Sequence, residues 1–232
     1  MKKMGIRRGG LLITSTIVRD ILERVTKALQ NKTWMVVGGV ASQLWAYVMS
    51  GNCVYCRPTD NLNIVGIDIA RDLEVLFKAL AEGFIGDQIR RLNVLISHHP
   101  RFRVDIESYA EKRTYMTEFD RRVFLDIWNI KVPVSALEDH IIAKLLMGRD
   151  KDIFDIRNIF LAYKRYLRSN ILMNTEPKYL IHLSSIKKRL EEEYPEMTSD
   201  VISMIESITG SDFKELEKAE DKPRKMVELL RL

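Results

Sequence analysis

The chain has 232 residues, 46% hydrophobic and 30% charged, the proportions of a globular protein that buries a core and not of a disordered one. Its net charge is +5, and the excess lies in the front: residues 171–232 hold 10 basic and 13 acidic side chains, whereas residues 1–170 hold 27 and 19. Such a front suits a nucleotide, a nucleic acid or an acidic partner, although a mildly basic balance also occurs without one. The apolar run at residues 11–18 ends at Arg19-Asp20. It is too short for a signal peptide or a membrane span, so a cytoplasmic protein with no membrane partner is expected.

In chain order, Thr14 or Ser15 is placed to cap a helix reaching about Gln30, with Ile17, Ile21, Val25 and Leu29 on one face. Trp34-Met35-Val36-Val37 reads as a strand that stops at Gly38-Gly39, and Val40, Leu44, Tyr47 and Val48 then recur at helical spacing. Cys53 and Cys56 form a CxxC pair, open to a redox, zinc, disulfide or plain loop role. A zinc site would need two more ligands from His98, His99, His140 and His182.

Further strands are expected at 62–67, 91–97, 102–106, 122–128 and 130–134, with an amphipathic helix at 70–80 and a hairpin across His98-His99-Pro100-Arg101. Beyond Ser135 the pattern is helical. Ser135 with Glu138 three residues later has the spacing of a capping box. Helices follow at 137–147, 152–167, 178–193, 198–208 and 211–230, punctuated by Pro177, Pro195 and Gly210. The expected fold class is α+β, with an α/β domain at 1–134 and a helical C-terminal domain at 135–232.

A Gly-Gly turn into a helix, followed by a strand with Arg57, Thr59 and the paired positions 61 and 63, resembles the nucleotidyltransferase superfamily, the polymerase-β-like fold. Asp105 on a later strand, Lys144, and the Arg149-x-Lys151-Asp152-x-x-Asp155 run extend the likeness to the branch of abortive-infection type IV toxins and related nucleotidyltransferases, over roughly residues 33–160. The resemblance implies a mixed, mostly antiparallel sheet flanked by helices and followed by a helical portion. It also implies that Gly38, Gly39, Arg57, Thr59, Lys144, Arg149, Lys151 and Asp155 line a nucleotide site, with Asp152 buttressing it. Positions 61, 63 and Asp105 would hold magnesium, Asp105 being the remaining catalytic acid.

The sequence departs from that pattern at the metal. Asn61 and Asn63 stand where two carboxylates belong. Positions two apart on a strand share a face, so the two amides and Asp105 would present about one negative charge where the family presents about three. The leading expectation is therefore a nucleotidyltransferase-fold protein, catalytically impaired, that binds a nucleotide, an RNA or a protein partner such as an antitoxin. An active, magnesium-dependent enzyme that recruits Asp60, Asp68 or Asp152 is the alternative. A helical interaction module with the sheet as scaffold is another, and paired Asp-to-Asn replacements are also what deliberate inactivation would leave.

Overall fold

The sheet begins with Trp34–Val37 (β1), a β-branched run buried along its whole length. The computed structural model of the chain describes residues 10–66, 86–90, 93–99, 102–108 and 119–232. The expected helix at 70–80 and Asp68 lie outside these residues. Seven strands form one sheet in the order β3-β4-β5-β2-β1-β7-β6, with β2 at Asn61–Gly66, β3 at Gly86–Arg90, β4 at Asn93–His99, β5 at Phe102–Ser108, β6 at Val123–Ile127 and β7 at Ile130–Val134. β1 runs antiparallel to β2, and β4 antiparallel to β3 and β5, whereas β1–β7 and β2–β5 are parallel. This is a mixed, mostly antiparallel sheet, as the resemblance implies.

The chain divides into two compact units. The first comprises residues 1–40, 57–114 and 124–134 and contains most of the sheet. Ser15 caps its helix α1 (Thr16–Ala28) by accepting the Ile17 N–H at 3.3 Å, and Val18, Ile21, Leu22 and Val25 are buried along it. On one face of the β2–β5 pair Leu62, Ile64, Phe102, Val104 and Ile106 are buried, which leaves Asn61, Asn63, Arg103 and Asp105 on the other. Trp128 and Asn129 join β6 to β7 with φ of 52° and 65°, the left-handed pair of a type I′ hairpin turn.

The second unit comprises residues 41–56, 115–123 and 135–232. It takes most of α2 (Gly38–Ser50), then α3 (Leu137–Met147), α4 (Asp150–Met173), α5 (Leu183–Glu193), α6 (Thr198–Thr209), α7 (Phe213–Glu217) and α8 (Pro223–Leu229). Leu44 and Trp45 of α2 are buried, as are Ile141 and Leu145 of α3 and Ile156, Ile159, Phe160 and Tyr163 of α4. The Trp45 indole N–H donates to the Ser135 carbonyl at 3.0 Å, which ties α2 to the start of α3. No helix among the described residues is long and apolar enough to cross a membrane.

Three expectations change. Residues 86–90 form a strand that the sequence pattern did not indicate. The capping box is not made: Ala136 is the N-cap of α3 without a side-chain bond, the Ser135 hydroxyl sits 3.5 Å from His140 Nδ1, and Glu138 accepts the His182 N–H instead. The helix expected at 211–230 is two short ones, because Lys222-Pro223 interrupts it and Pro223 starts α8.

Candidate functional site

Register builds the first cluster. The β1–β2 pairing sets Val37 opposite Asn63, so the chain enters Gly38 beside that side chain, and the β2–β5 pairing sets Asn63 opposite Asp105. Gly38 has φ +69°, and a Cβ there would strike the Asn63 amide nitrogen; a Cβ on Gly39 would stand 2.9 Å from Thr59 Oγ1. Both glycines are therefore demanded by close approach, the first also by its backbone angle. Thr59 is anchored through both backbone groups to Leu11, at 2.7 and 3.0 Å, and its hydroxyl donates to Asn61 Oδ1 at 3.3 Å.

From Thr59 the hydrogen bonds run across the strand pair. Asn61 Nδ2 donates to Asn63 Oδ1 at 2.9 Å and to Asp105 Oδ2 at 2.5 Å. Among the described residues Asp105 Oδ1, which is buried, has no hydrogen-bond partner. Gly38, Gly39, Thr59, Asn61, Asn63 and Asp105 are thus neighbours, and Arg57 stands at the rim, with Nη2 3.5 Å from where a Gly39 Cβ would lie. Asp60 is 54% exposed and lies 3.8 Å from Arg103 Nη2.

The donor set does not fit magnesium. A hard divalent cation needs converging anionic oxygens. Here the cluster offers one carboxylate, and the Asn61 N–H₂ donates both to it and to Asn63 Oδ1. Among the described residues no group of three or more His, Cys, Asp or Glu side chains could hold a metal ion.

Within the second unit Lys144, Arg149, Asp152 and Asp155 form an internally neutralised cluster. Lys144 on α3 is 5% exposed and donates to Asp152 Oδ1 at 2.8 Å and Asp155 Oδ2 at 2.7 Å, both on α4. Arg149 forks onto Asp152, with Nε 2.5 Å from Oδ2 and Nη2 3.3 Å from Oδ1. Burial pushes the Asp152 carboxyl upward, but the hydrogen bonds and charges of Arg149 and Lys144 outweigh it and leave the group below its ordinary value. Lys151 is exposed on α4, apart from this network.

Two polar groupings in this unit escape sequence reasoning because they join residues far apart in the chain. Asp139, 1% exposed, is bridged by Arg189 and by Arg121 at 3.2 Å. His140 lies 2.8 Å from Ser42 Oγ through Nε2, and burial, assisted by the Lys144 charge, lowers its pKa to about 3. Cys53 and Cys56 are not joined by a disulfide. The hydrogen bond with Cys53, then burial, push the Cys56 thiol up, which disfavours the thiolate that redox or metal chemistry uses.

No protein-family model matches the chain, and no curated protein matches its sequence. Solved structures do resemble it. One is an antigenic nucleotidyltransferase-like protein from Paracoccidioides brasiliensis, 18% identical, covering 80% of this chain and 90% of that one at a TM-score of 0.46. A second is the lincosamide antibiotic adenylyltransferase LnuA, 16% identical over 64% of this chain and 98% of that one, TM-score 0.47. A third is the Megavirus polyadenylate synthase, 11% identical over 91% of this chain and 52% of that one, TM-score 0.47. At such identities and scores these are likenesses of fold, silent on substrate.

Proposed function

We propose that this chain is a nucleotidyltransferase-fold protein that has given up divalent-metal catalysis and acts by binding a nucleotide, an RNA or a protein partner. The observation that carries this reading is the Asn61 amide, which donates to both Asn63 and Asp105 at the point where a transferase would place its cation. Phosphoryl transfer in this fold depends on metals to neutralise the triphosphate and activate the attacking hydroxyl, and one carboxylate beside two neutral amides offers such an ion too little anionic oxygen. What the resemblance implies for ligand binding is untouched by that change. The Gly38-Gly39 approach and the Arg57 guanidinium supply a close backbone and a positive charge without any metal.

The reading separates binding from chemistry, and so does its test. Calorimetric titration with each ribonucleoside triphosphate, in magnesium and again in EDTA, is expected to give affinities that the chelator does not lower. Labelled triphosphates with magnesium or manganese and bulk tRNA or protein are expected to give no transfer. Magnesium-dependent labelling by the unaltered chain, lost on Asp105→Asn, would establish the active alternative instead.

A further inference from the structure

The turn that follows α2 carries the chain's two cysteines, Cys53 and Cys56. Hydrogen bonds hold it in place. Gly51 leaves α2 with φ +74° and donates its N–H to the Tyr47 carbonyl at 2.8 Å. Asn52 Oδ1 then accepts the Val54 N–H at 3.1 Å, and the Cys56 N–H closes on the Cys53 carbonyl at 3.1 Å. Cys53-Val54-Tyr55-Cys56 is therefore a hydrogen-bonded β-turn, whose ends lie within about 7 Å between Cα atoms. A disulfide spans about 4.4–6.8 Å between Cα atoms, so the turn sets the pair in the range that bridging needs.

The two sulfurs are not equivalent. Cys56 Sγ lies 3.6 Å from the Gln43 carbonyl, which can only accept, and its thiol is also hydrogen-bonded with Cys53. An ionised Cys56 would face that carbonyl oxygen with no proton to offer it, so the proton stays on Cys56. The bond with Cys53 and burial push the Cys56 thiol up in the same sense. The sulfur left to ionise is that of Cys53, with the Cys56 S–H as its donor, an arrangement in which one member of a CxxC pair attacks and the other follows. Both residues are half-buried and Val54 between them is 69% exposed, so a disulfide arriving from solvent reaches the turn.

We propose that Cys53 and Cys56 are a dithiol–disulfide exchange site for small-molecule disulfides, with Cys53 the attacking sulfur and Cys56 the resolving one. With glutathione disulfide, the Cys53 thiolate attacks one sulfur to form a mixed disulfide, and the first glutathione leaves as a thiolate that takes up the proton Cys53 lost. Cys56 then attacks the Cys53 sulfur, its own proton passing to the second glutathione as it departs. Two protein thiols are oxidised to one disulfide and one glutathione disulfide is reduced to two thiols, so atoms and electrons balance with no further oxidant. The closed bridge has no Cys56 S–H, so oxidation also releases the turn from the Gln43 carbonyl.

Intact mass spectrometry of the full chain tests this, after equilibration in glutathione buffers of rising oxidised fraction, acid quenching and alkylation with N-ethylmaleimide in denaturant. The chain has two cysteines, so every adduct reports on this turn. The parent is expected to pass from two maleimide adducts to none, as a monomer and without accumulating a glutathione adduct. Cys56→Ser is expected to stop at the mixed disulfide on Cys53, and Cys53→Ser to acquire glutathione about tenfold more slowly. The parent alone decides whether the bridge forms, whatever the variants do to folding. A parent that keeps both maleimide adducts at every ratio, that accumulates glutathione on either sulfur, or that bridges only between chains would overturn the inference. So would a Cys53→Ser variant that reacts as fast as Cys56→Ser.

Discussion

At Gly38 two independent requirements meet, a left-handed backbone angle and the absence of any side chain beside Asn63. Gly38→Ala is therefore expected to destabilise the chain by about 1–3 kcal/mol, measured as a fall in the denaturant midpoint. Gly39→Ala meets the Thr59 side chain, at 2.9 Å from Oγ1 and 3.2 Å from Cβ, but its φ is ordinary, so a smaller loss is expected there. The amides of Asn61 and Asn63 differ from acids in sign as much as in charge: Asn61 Nδ2 donates to the groups that a carboxylate would repel. Position and residue type at this cluster were legible in the sequence, since alternation along a strand fixes which residues share a face. The internal hydrogen bonding was not, because it depends on the β2–β5 register.

Between elements, α3 and α4 are joined by a charged lock rather than by apolar packing alone. Lys144→Met would leave Asp152 and Asp155 buried with Arg149 as the remaining cation, and a loss of about 3–5 kcal/mol is expected in thermal or chemical unfolding. Asp155→Asn keeps Asp152 as partner to Lys144 and is expected to cost less. A solvated helix face with i,i+3 pairs and this buried lock share one sequence pattern, and only the packing of α3 on α4 distinguishes them. The continuous apolar run of β1 and the periodic helices α3, α4, α5 and α6 were legible; β3 was not, since Gly86-Asp87-Gln88-Ile89-Arg90 has no alternation and is held by its pairing with β4. The capping-box spacing at Ser135 also misled, because Glu138 finds the His182 N–H and Ser135 lies against His140.

Across the whole molecule, pH reports on these buried groups together. His140 titrates near 6.5 when unfolded and at about 3 when folded, so its contribution is full above the first value and is lost as pH falls from there toward the second. Lys144 deepens the depression, while Asp152 and Asp155 oppose it. The depressed Asp152 carboxyl adds a further loss as pH falls below the ordinary value of 3.8. Urea unfolding is therefore expected to show stability declining by a few kcal/mol below about pH 6.5, with a flatter decline in His140→Gln. A slope unchanged by that substitution would contradict the buried, neutral imidazole.

If Asn61 and Asn63 close the centre to divalent metal, as proposed, manganese titration followed by the loss of its free-ion paramagnetic resonance signal shows it directly. The unaltered chain is expected to leave manganese free. N61D/N63D, which replaces two amides with carboxylates beside Asp105, is expected to sequester it and to melt at higher temperature with manganese than in EDTA. Tight manganese binding by the unaltered chain, abolished by Asp105→Asn, would contradict the account.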